Sequence, residues 1–402
     1  MLLVDDSPSV RAVLRRFFSR TADIKVVAES SDGAQAVQAV LDHLPHVVVM
    51  DLQMPVMDGY GAIERIMTLR PTPILVLSSR ANRNQMQTAF EAIRRGAIEV
   101  LPKPEDTGSW EVLAESLPQA VRVVAAARPR ALAPPGLPPR GSSRGRGAGS
   151  GGAGAGRAGG AGGAAGADRA AGADRATGAG RAEGAGRAAG VGRAGRAEGA
   201  DRADRGMGGG LRWVAIGAST GGPAALRELL EEVPAAPPVS FLVVQHIAVG
   251  FEAAMADWLN KELPLDVRLA RDAESPRQGA VRLAPAGAHL RLGAGGVLRL
   301  DAATPARRGH RPSVDELFLS CAESFPRQSA GVLLTGMGTD GVEGLAALRG
   351  AGALTMVQDE ASSVVFGMPR VALERGAAEL ALAPRELART LARHWQGRGE
   401  GR

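Results

Sequence analysis

Serine, histidine and aspartate stand at the ends of three apolar runs in the second half of the chain, where an acyl-transfer site could be assembled. Trp213 to Ile216 breaks into Gly217-Ala-Ser219-Thr-Gly-Gly222 and resumes as a helix-like segment from Pro223. Phe241-Leu-Val-Val244 runs into Gln245-His246, and Gly331-Val-Leu-Leu-Thr335 runs into Gly336-Met-Gly-Thr-Asp340-Gly341. A serine at its ordinary pKa is a poor nucleophile; an imidazole can take its proton, and a carboxylate can orient and charge-stabilise that imidazole. A glycine-rich strand-to-helix turn exposes the serine hydroxyl and aims the N–H groups of the helix start at whatever the serine attacks. Taken alone, the Ser219 turn fits a plain Gly-Ser connection or a phosphate cradle more readily than a nucleophile. The case for Ser219, His246 and Asp340 rests on all three lying just past strand ends, the edge at which an open parallel α/β sheet binds its ligands. Of the six histidines, His43, His46 and His394 lie in segments with no such partners.

A second set of chemistry-bearing residues lies in the first half. Asp5-Asp6 follow apolar Leu2-Val4, Asp51 follows Val47-Met50, Ser78 follows Ile74-Leu77, and Lys103 follows Ile98-Leu101 within Leu101-Pro-Lys-Pro104. Three carboxylates gathered at one edge repel one another unless a divalent cation binds, and a small all-oxygen set suits Mg²⁺.

The elements that must position these groups follow from periodicity. In the first half the pattern predicts strands at 2–4, 24–28, 47–50, 74–77 and 98–101, alternating with helices at 8–18, 32–41, 59–69, 82–95 and 110–127. Five such units make a flavodoxin-like doubly wound domain over 1–125. From 211 to 396 strands and helices alternate again, which predicts a second doubly wound α/β domain with a mostly parallel sheet. Gly295-Gly296 marks a hairpin between Leu290-Leu292 and Val297-Leu300, read as a small antiparallel addition to that sheet. Ser313 reads as a helix N-cap with Glu316 completing a capping box. His289 reads as structural, the Met337 side chain as packing, and the single cysteine, Cys321, as a small buried hydrophobe.

Charge locates the connection between the halves. The net charge is +6, but residues 128–205 hold 14 arginines against 6 acidic residues, which leaves 34 basic and 36 acidic residues in the rest of the chain. That segment is proline-rich and then Gly/Ala/Arg-rich, with Arg169, Arg175, Arg181, Arg187 and Arg193 six residues apart. Six is neither a helical nor a strand period, and nothing apolar larger than Val191 is available to bury in the repeats, so 126–210 is expected to be a disordered linker and 397–402 a flexible tail. The nearly neutral flanks, without a helix-turn-helix or an aromatic platform, argue against nucleic acid as a partner. One cysteine, no apolar run of membrane-spanning length and acids at positions 5 and 6 lead to the expectation of a cytoplasmic protein without a signal peptide or membrane insertion.

With these motifs in view, the chain resembles the chemotaxis response regulator protein-glutamate methylesterase family (CheB). The likeness is carried by Gly217-Ala-Ser219-Thr-Gly-Gly, Gln245-His246, His310-Arg-Pro-Ser-Val-Asp315 and Thr335-Gly-Met-Gly-Thr-Asp340-Gly, and in the first half by the strand-end set, which resembles a two-component phosphoacceptor receiver. The resemblance implies a triad of Ser219, His246 and Asp340, with backbone N–H groups of Met337 and Thr220 at the oxyanion hole. It implies phosphorylation of Asp51, Mg²⁺ held by Asp5, Asp6, Asp51 and the Gln53 carbonyl, and sensing of the phosphoryl group by Ser78 and Lys103, with the Lys103–Pro104 bond cis. The first strand begins at Met1, where the family has several further residues. The implied activity is hydrolysis of glutamate methyl esters, and deamidation of glutamines, on chemoreceptor helices, switched by a phosphodonor histidine kinase. The protein is expected to be a monomer whose hydrolase needs no cofactor. The competing classes are a phosphorylation-switched scaffold with an inactive hydrolase-like domain and a nucleic-acid-binding regulator working through the Arg-rich linker.

Overall fold

The structure, a computed structural model, describes residues 1–79, 83–104, 107–129 and 210–396. The expected linker, save 126–129 and 210, and the tail 397–402 lie outside the described residues. Among the described residues no helix is long and apolar enough to cross a membrane.

In the first half, strands β1 (Leu2–Val4), β2 (Ala28–Ser30), β3 (Val48–Asp51), β4 (Ile74–Ser79) and β5 (Glu99–Lys103) pair in parallel in the order β2-β1-β3-β4-β5. Helices α1 (Pro8–Phe18), α2 (Gly33–His43), α3 (Gly59–Leu69), α4 (Arg83–Arg94) and α5 (Thr107–Ala125) connect them. Because successive strand side chains point to opposite faces, Leu2, Val4, Val48 and Met50 pack with Ile63 and Ile66 of α3. Leu3, Val49, Leu75 and Leu77 pack on the other face with Leu14 and Phe18 of α1 and Leu117 and Val121 of α5. Strand order reverses between β1 and β3, so Asp5 and Asp51 emerge side by side at the switch point. The second strand is displaced from the expected 24–28. Its ladder with β1 runs from Leu2↔Ala28 to Val4↔Ser30, and the apolar Ile24 and Val26 instead pack against the core from the preceding loop.

In the second half, β6 (Trp213–Ala218), β7 (Ser240–Gln245), β8 (Asp266–Leu269), β9 (Ala280–Leu283), β12 (Ser329–Leu333), β13 (Leu354–Gln358) and β14 (Leu380–Leu382) form a seven-stranded sheet of order β14-β13-β12-β6-β7-β9-β8, parallel in every pairing. Helices α6 (Gly222–Glu231), α7 (Phe251–Glu262), α8 (Val314–Ser324), α9 (Val342–Gly350), α10 (Met368–Glu374) and α11 (Pro384–Gln396) cover its faces. The central strands β6, β7 and β12 are buried along their whole length, which is why they read as continuous apolar runs. From β6 the chain proceeds to β7 on one side and later to β12 on the other, so the second switch point lies between β6 and β12. The expected hairpin, β10 (His289–Leu292) and β11 (Leu298–Asp301), forms a separate two-stranded sheet instead of extending the large one. Its apolar residues Leu290, Leu292 and Leu298 share a core with Leu317 and Phe318 of α8, so the hairpin packs over that helix.

The two halves meet along α4 and α7. Phe90 is fully buried, stacked on Trp258 with ring centroids 5.4 Å apart and meeting Phe251 edge-on at 6.3 Å. One apolar cluster therefore runs from the first sheet into the second.

Candidate functional site

The turn after β6 is shaped by what glycine permits. Gly221 has φ +77° and starts α6 from the left-handed region, and a Cβ there would press into Val364. The backbone of Ser219 is anchored on both sides: its N–H donates to the Thr335 carbonyl (3.0 Å), and its carbonyl accepts from Gln245 Nε2 (2.8 Å). The same Nε2 donates to the His246 carbonyl (2.8 Å), so one buried amide ties the serine and histidine segments together. The sequence places Gln245 in the motif but assigns it no role; its signal is a polar residue closing the apolar run Phe241–Val244.

His246 and Asp340 are joined. The ring nitrogen Nε2 of His246 lies 2.9 Å from Asp340 Oδ2, while Nδ1 is buried with no hydrogen-bond partner among the described residues. Asp340 is nearly fully buried and takes three further donors: Ser313 Oγ (2.7 Å) and Asp315 N–H (3.1 Å) to Oδ1, and Val314 N–H (2.8 Å) to Oδ2. Burial alone would raise this carboxyl, but the donors from His246, Ser313 and Val314 outweigh it and hold it down at about 2. The site thus contains a permanently ionised carboxylate against the imidazole. Ser219 reaches the same edge by register, Ala218 pairing with Gln245 and Gly217 with Leu333, but its hydroxyl makes no hydrogen bond among the described residues.

The backbone N–H groups of Thr220 and Met337 donate to no protein acceptor among the described residues, and the Met337 side chain is half exposed. Its sulfur accepts from Gln119 Nε2 of α5 at 3.3 Å. The ring of His310 stacks on that of His246, centroids 3.8 Å apart and planes within 3°. Burial, then the neighbouring His246, hold His310 below the ordinary histidine range, against the opposing pull of Asp340. A cleft of about 190 Å³ opens beside the pair, lined by Ile247, Val249, Ala286 and Arg311. Ser313 caps α8 as expected, accepting from Glu316 N–H at 3.5 Å, but the Glu316 side chain turns to Arg307 and Arg291 and the capping box is not closed. Asp315 is fully buried, where burial first and the nearby Asp340 carboxylate raise its carboxyl against the Gly344 N–H it accepts. Cys321 is buried, its thiol pushed up to about 12 by desolvation.

At the edge of the first sheet, one oxygen each of Asp5, Asp6 and Asp51 lie within 4.8 Å of one another. Lys103 Nζ sits 2.7 Å from both Asp5 and Asp51. Ser78 is buried beside them at the end of β4, and Gln53 N–H approaches Asp51 Oδ1 at 3.5 Å while its carbonyl accepts no hydrogen bond among the described residues. The Lys103–Pro104 bond is not cis, against expectation; the cis bond among the described residues is Arg311–Pro312. Lys103 reaches both carboxylates from the trans backbone. Three oxygen ligands this close fit a small hard cation, with Lys103 supplying the balancing charge between two of them.

Comparison with known proteins identifies the family. The CheB methylesterase family matches residues 214–391 and the response regulator receiver domain matches residues 1–112. The chain is 37% identical over 406 residues to a protein-glutamate methylesterase/protein-glutamine glutaminase 4 of Myxococcus xanthus, covering 99% of this chain and 98% of that one. It is 37% identical over 392 residues to a protein-glutamate methylesterase/protein-glutamine glutaminase 2 of Anaeromyxobacter dehalogenans, covering 97% and 95%. The solved CheB methylesterase catalytic domain of Thermotoga maritima is 34% identical, with a TM-score of 0.44, over 45% of this chain and 97% of that one. With a receiver at its start and the joined His246–Asp340 pair beside the Ser219 turn, the chain belongs to the CheB protein-glutamate methylesterase family.

Proposed function

We propose that this protein is a response regulator, its receiver formed by residues 1–125 and its serine hydrolase by residues 211–396, that hydrolyses glutamate methyl esters and glutamine amides on chemoreceptor helices. The observation that carries the reading is the His246–Asp340 bond of 2.9 Å at the strand edge where Ser219 emerges, with His246 Nδ1 unpartnered. Ser219 Oγ attacks the ester carbonyl as its proton passes to His246 Nδ1, the nitrogen that Asp340 leaves open. The resulting imidazolium is stabilised by the Asp340 carboxylate, and the oxyanion faces the N–H groups of Thr220 and Met337. Collapse breaks the bond to the methoxy oxygen, which takes the proton from His246 and leaves as methanol. Water then attacks the acyl group as His246 accepts its proton, and Ser219 Oγ departs taking that proton back from His246, leaving a receptor carboxylate; with glutamine the first leaving group is ammonia. The hydrogen bond from Ser219 to His246 forms as substrate binds, because catalytic contacts commonly tighten only in the complex.

In the receiver, Asp51 accepts a phosphoryl group from a histidine kinase, Ser78 and Lys103 contact it, and Asp5, Asp6, Asp51 and the Gln53 carbonyl hold Mg²⁺. The cation, when bound, offsets the charge of the carboxylates and the incoming phosphoryl oxygens. The test is methanol release from methylated receptor by the full chain, with and without a small phosphodonor and Mg²⁺. Release should rise with phosphodonor and vanish in Ser219→Ala; release that persists in Ser219→Ala removes Ser219 as nucleophile and sinks the reading.

A further inference from the structure

We infer that His289 is a positioning residue for this reaction: through the backbone N–H of Ser313 it fixes the segment that holds Asp340, and thereby the ring of His246. The inference rests on the triad reading above. His289 opens β10, is completely buried, and takes no part in the chemistry. Its Nε2 lies 3.1 Å from the Pro305 carbonyl and its Nδ1 3.1 Å from Ser313 N–H. A carbonyl only accepts, so Nε2 carries the hydrogen, and Nδ1 is then the bare nitrogen that the Ser313 N–H requires. Both ring nitrogens are satisfied in one neutral tautomer, and the other tautomer would set N–H against N–H.

What this bond fixes is the source of the donors on Asp340. Three of its four come from consecutive residues, Ser313 Oγ, Val314 N–H and Asp315 N–H, at the first turn of α8. The fourth is His246. The side chain of Ser313 is held by Asp340 and its backbone by His289, so the triplet is clamped between a hairpin and the carboxylate. Remove the acceptor and a buried N–H is left unpaired; the chain relaxes toward a new partner, and the donors move with it. Farther along α8, Leu292 N–H donates to Ser320 Oγ and Ser324 Oγ donates to the Leu292 carbonyl, each at 2.9 Å, so the helix stays docked on the hairpin without His289. The local geometry around Asp340 is what changes.

The experiment compares His289→Asn, His289→Gln and His289→Leu in the full-length phosphorylated protein, and His289→Gln again in an Asp340→Ala background. An asparagine carbonyl sits where Nδ1 was and accepts from Ser313, whereas glutamine places its amide at the Nε2 end. Methanol release should show kcat near wild type for Asn and about 10- to 100-fold lower for Gln and Leu, with KM unchanged, because a small misplacement of reacting groups costs that much. In the Asp340→Ala background His289→Gln should cost nothing more, since no carboxylate remains to be positioned. Equal activity of Asn and Gln, or the same fold-loss for Gln with and without Asp340, assigns His289 a purely structural role and overturns the inference. Because Ser219→Ala tests the triad separately, failure of either idea is seen by itself.

Discussion

Asp340 accepts from four partners through its two carboxylate oxygens, and its chemistry is sensitive to a single atom. Asp340→Asn keeps the size of the side chain but replaces one acceptor oxygen with a donor. Placed at Oδ2 the new NH₂ meets Val314 N–H and His246 Nε2; placed at Oδ1 it meets Asp315 N–H. Neither orientation satisfies every partner, so the variant should lose about 1–3 kcal/mol of stability and about 10³- to 10⁴-fold in kcat, less than Ser219→Ala loses. Thermal unfolding and methanol release check the two parts. In the receiver, phosphoryl label from a small donor should require Mg²⁺ and disappear in Asp51→Ala, while Lys103→Ala accepts label without raising hydrolase activity. Label retained on Asp51→Ala would show that another group is the acceptor. The residues behind these predictions were legible because polar side chains closing apolar strands are conspicuous. The position of Gln245 was as plain, but its bonds to the Ser219 and His246 carbonyls, like the stack of His310 on His246, were not, since a hydrogen bond to a backbone carbonyl and a ring-on-ring contact leave no spacing pattern in one sequence.

At the scale of elements, legibility followed local chemistry and failed where a distant partner decides. The helices at Pro8–Phe18 and Gly59–Leu69 begin where the sequence suggests because Ser7 and Asp58 cap them, accepting from Val10 and Gly61 N–H. The second strand moved because its ladder is dictated by β1, and the hairpin separated from the large sheet because its apolar face is matched to α8. Neither partner is visible from within the segment itself. The turns around Ser219 are likewise set from afar. Gly336 is not in the left-handed region, yet a Cβ there would lie 2.7 Å from the Cβ of Ser219 and collide with the sulfur of Met368. Gly336→Ala should therefore displace Ser219, costing about 1–3 kcal/mol by overpacking and lowering kcat far more than KM. Retention of full kcat would show that the β12 loop yields without moving the serine.

For the whole molecule, the junction between the halves bears directly on the hydrolase, because the receiver touches both residues whose N–H groups are assigned to the oxyanion hole. Gln119 donates to the sulfur of Met337, and the carboxyl of Glu99, at the start of β5, lies beside the Thr220 hydroxyl. With Phe90 locked between Phe251 and Trp258, separating the halves is expected to free the Ser219 edge, so a fragment of residues 211–396 should be more active than the unphosphorylated full chain. Phosphorylation changes that balance only by the difference it makes between joined and separated states, typically about 1–3 kcal/mol. Glu99 adds a dependence on pH. Burial pushes its carboxyl from 4.5 up to about 8, against the smaller pull of Val100 N–H and the Thr220 hydroxyl. The charged groups of the adjoining cavity are Arg94 on α4, Arg128 beyond α5, and Arg227 and Glu228 on α6. A carboxyl raised in the joined state favours joining when protonated. That contribution is complete below about 4.5, declines by up to about tenfold in the joining equilibrium per pH unit, and is gone above about 8. Unphosphorylated activity of the full chain, divided by that of the fragment to cancel the titration of the active site, should rise between pH 6 and 8. In Glu99→Gln, which carries no charge at either pH, the ratio should stay flat. A wild-type ratio as flat as that of Glu99→Gln would mean that the carboxyl is already ionised in the joined state and that the junction does not respond to protons.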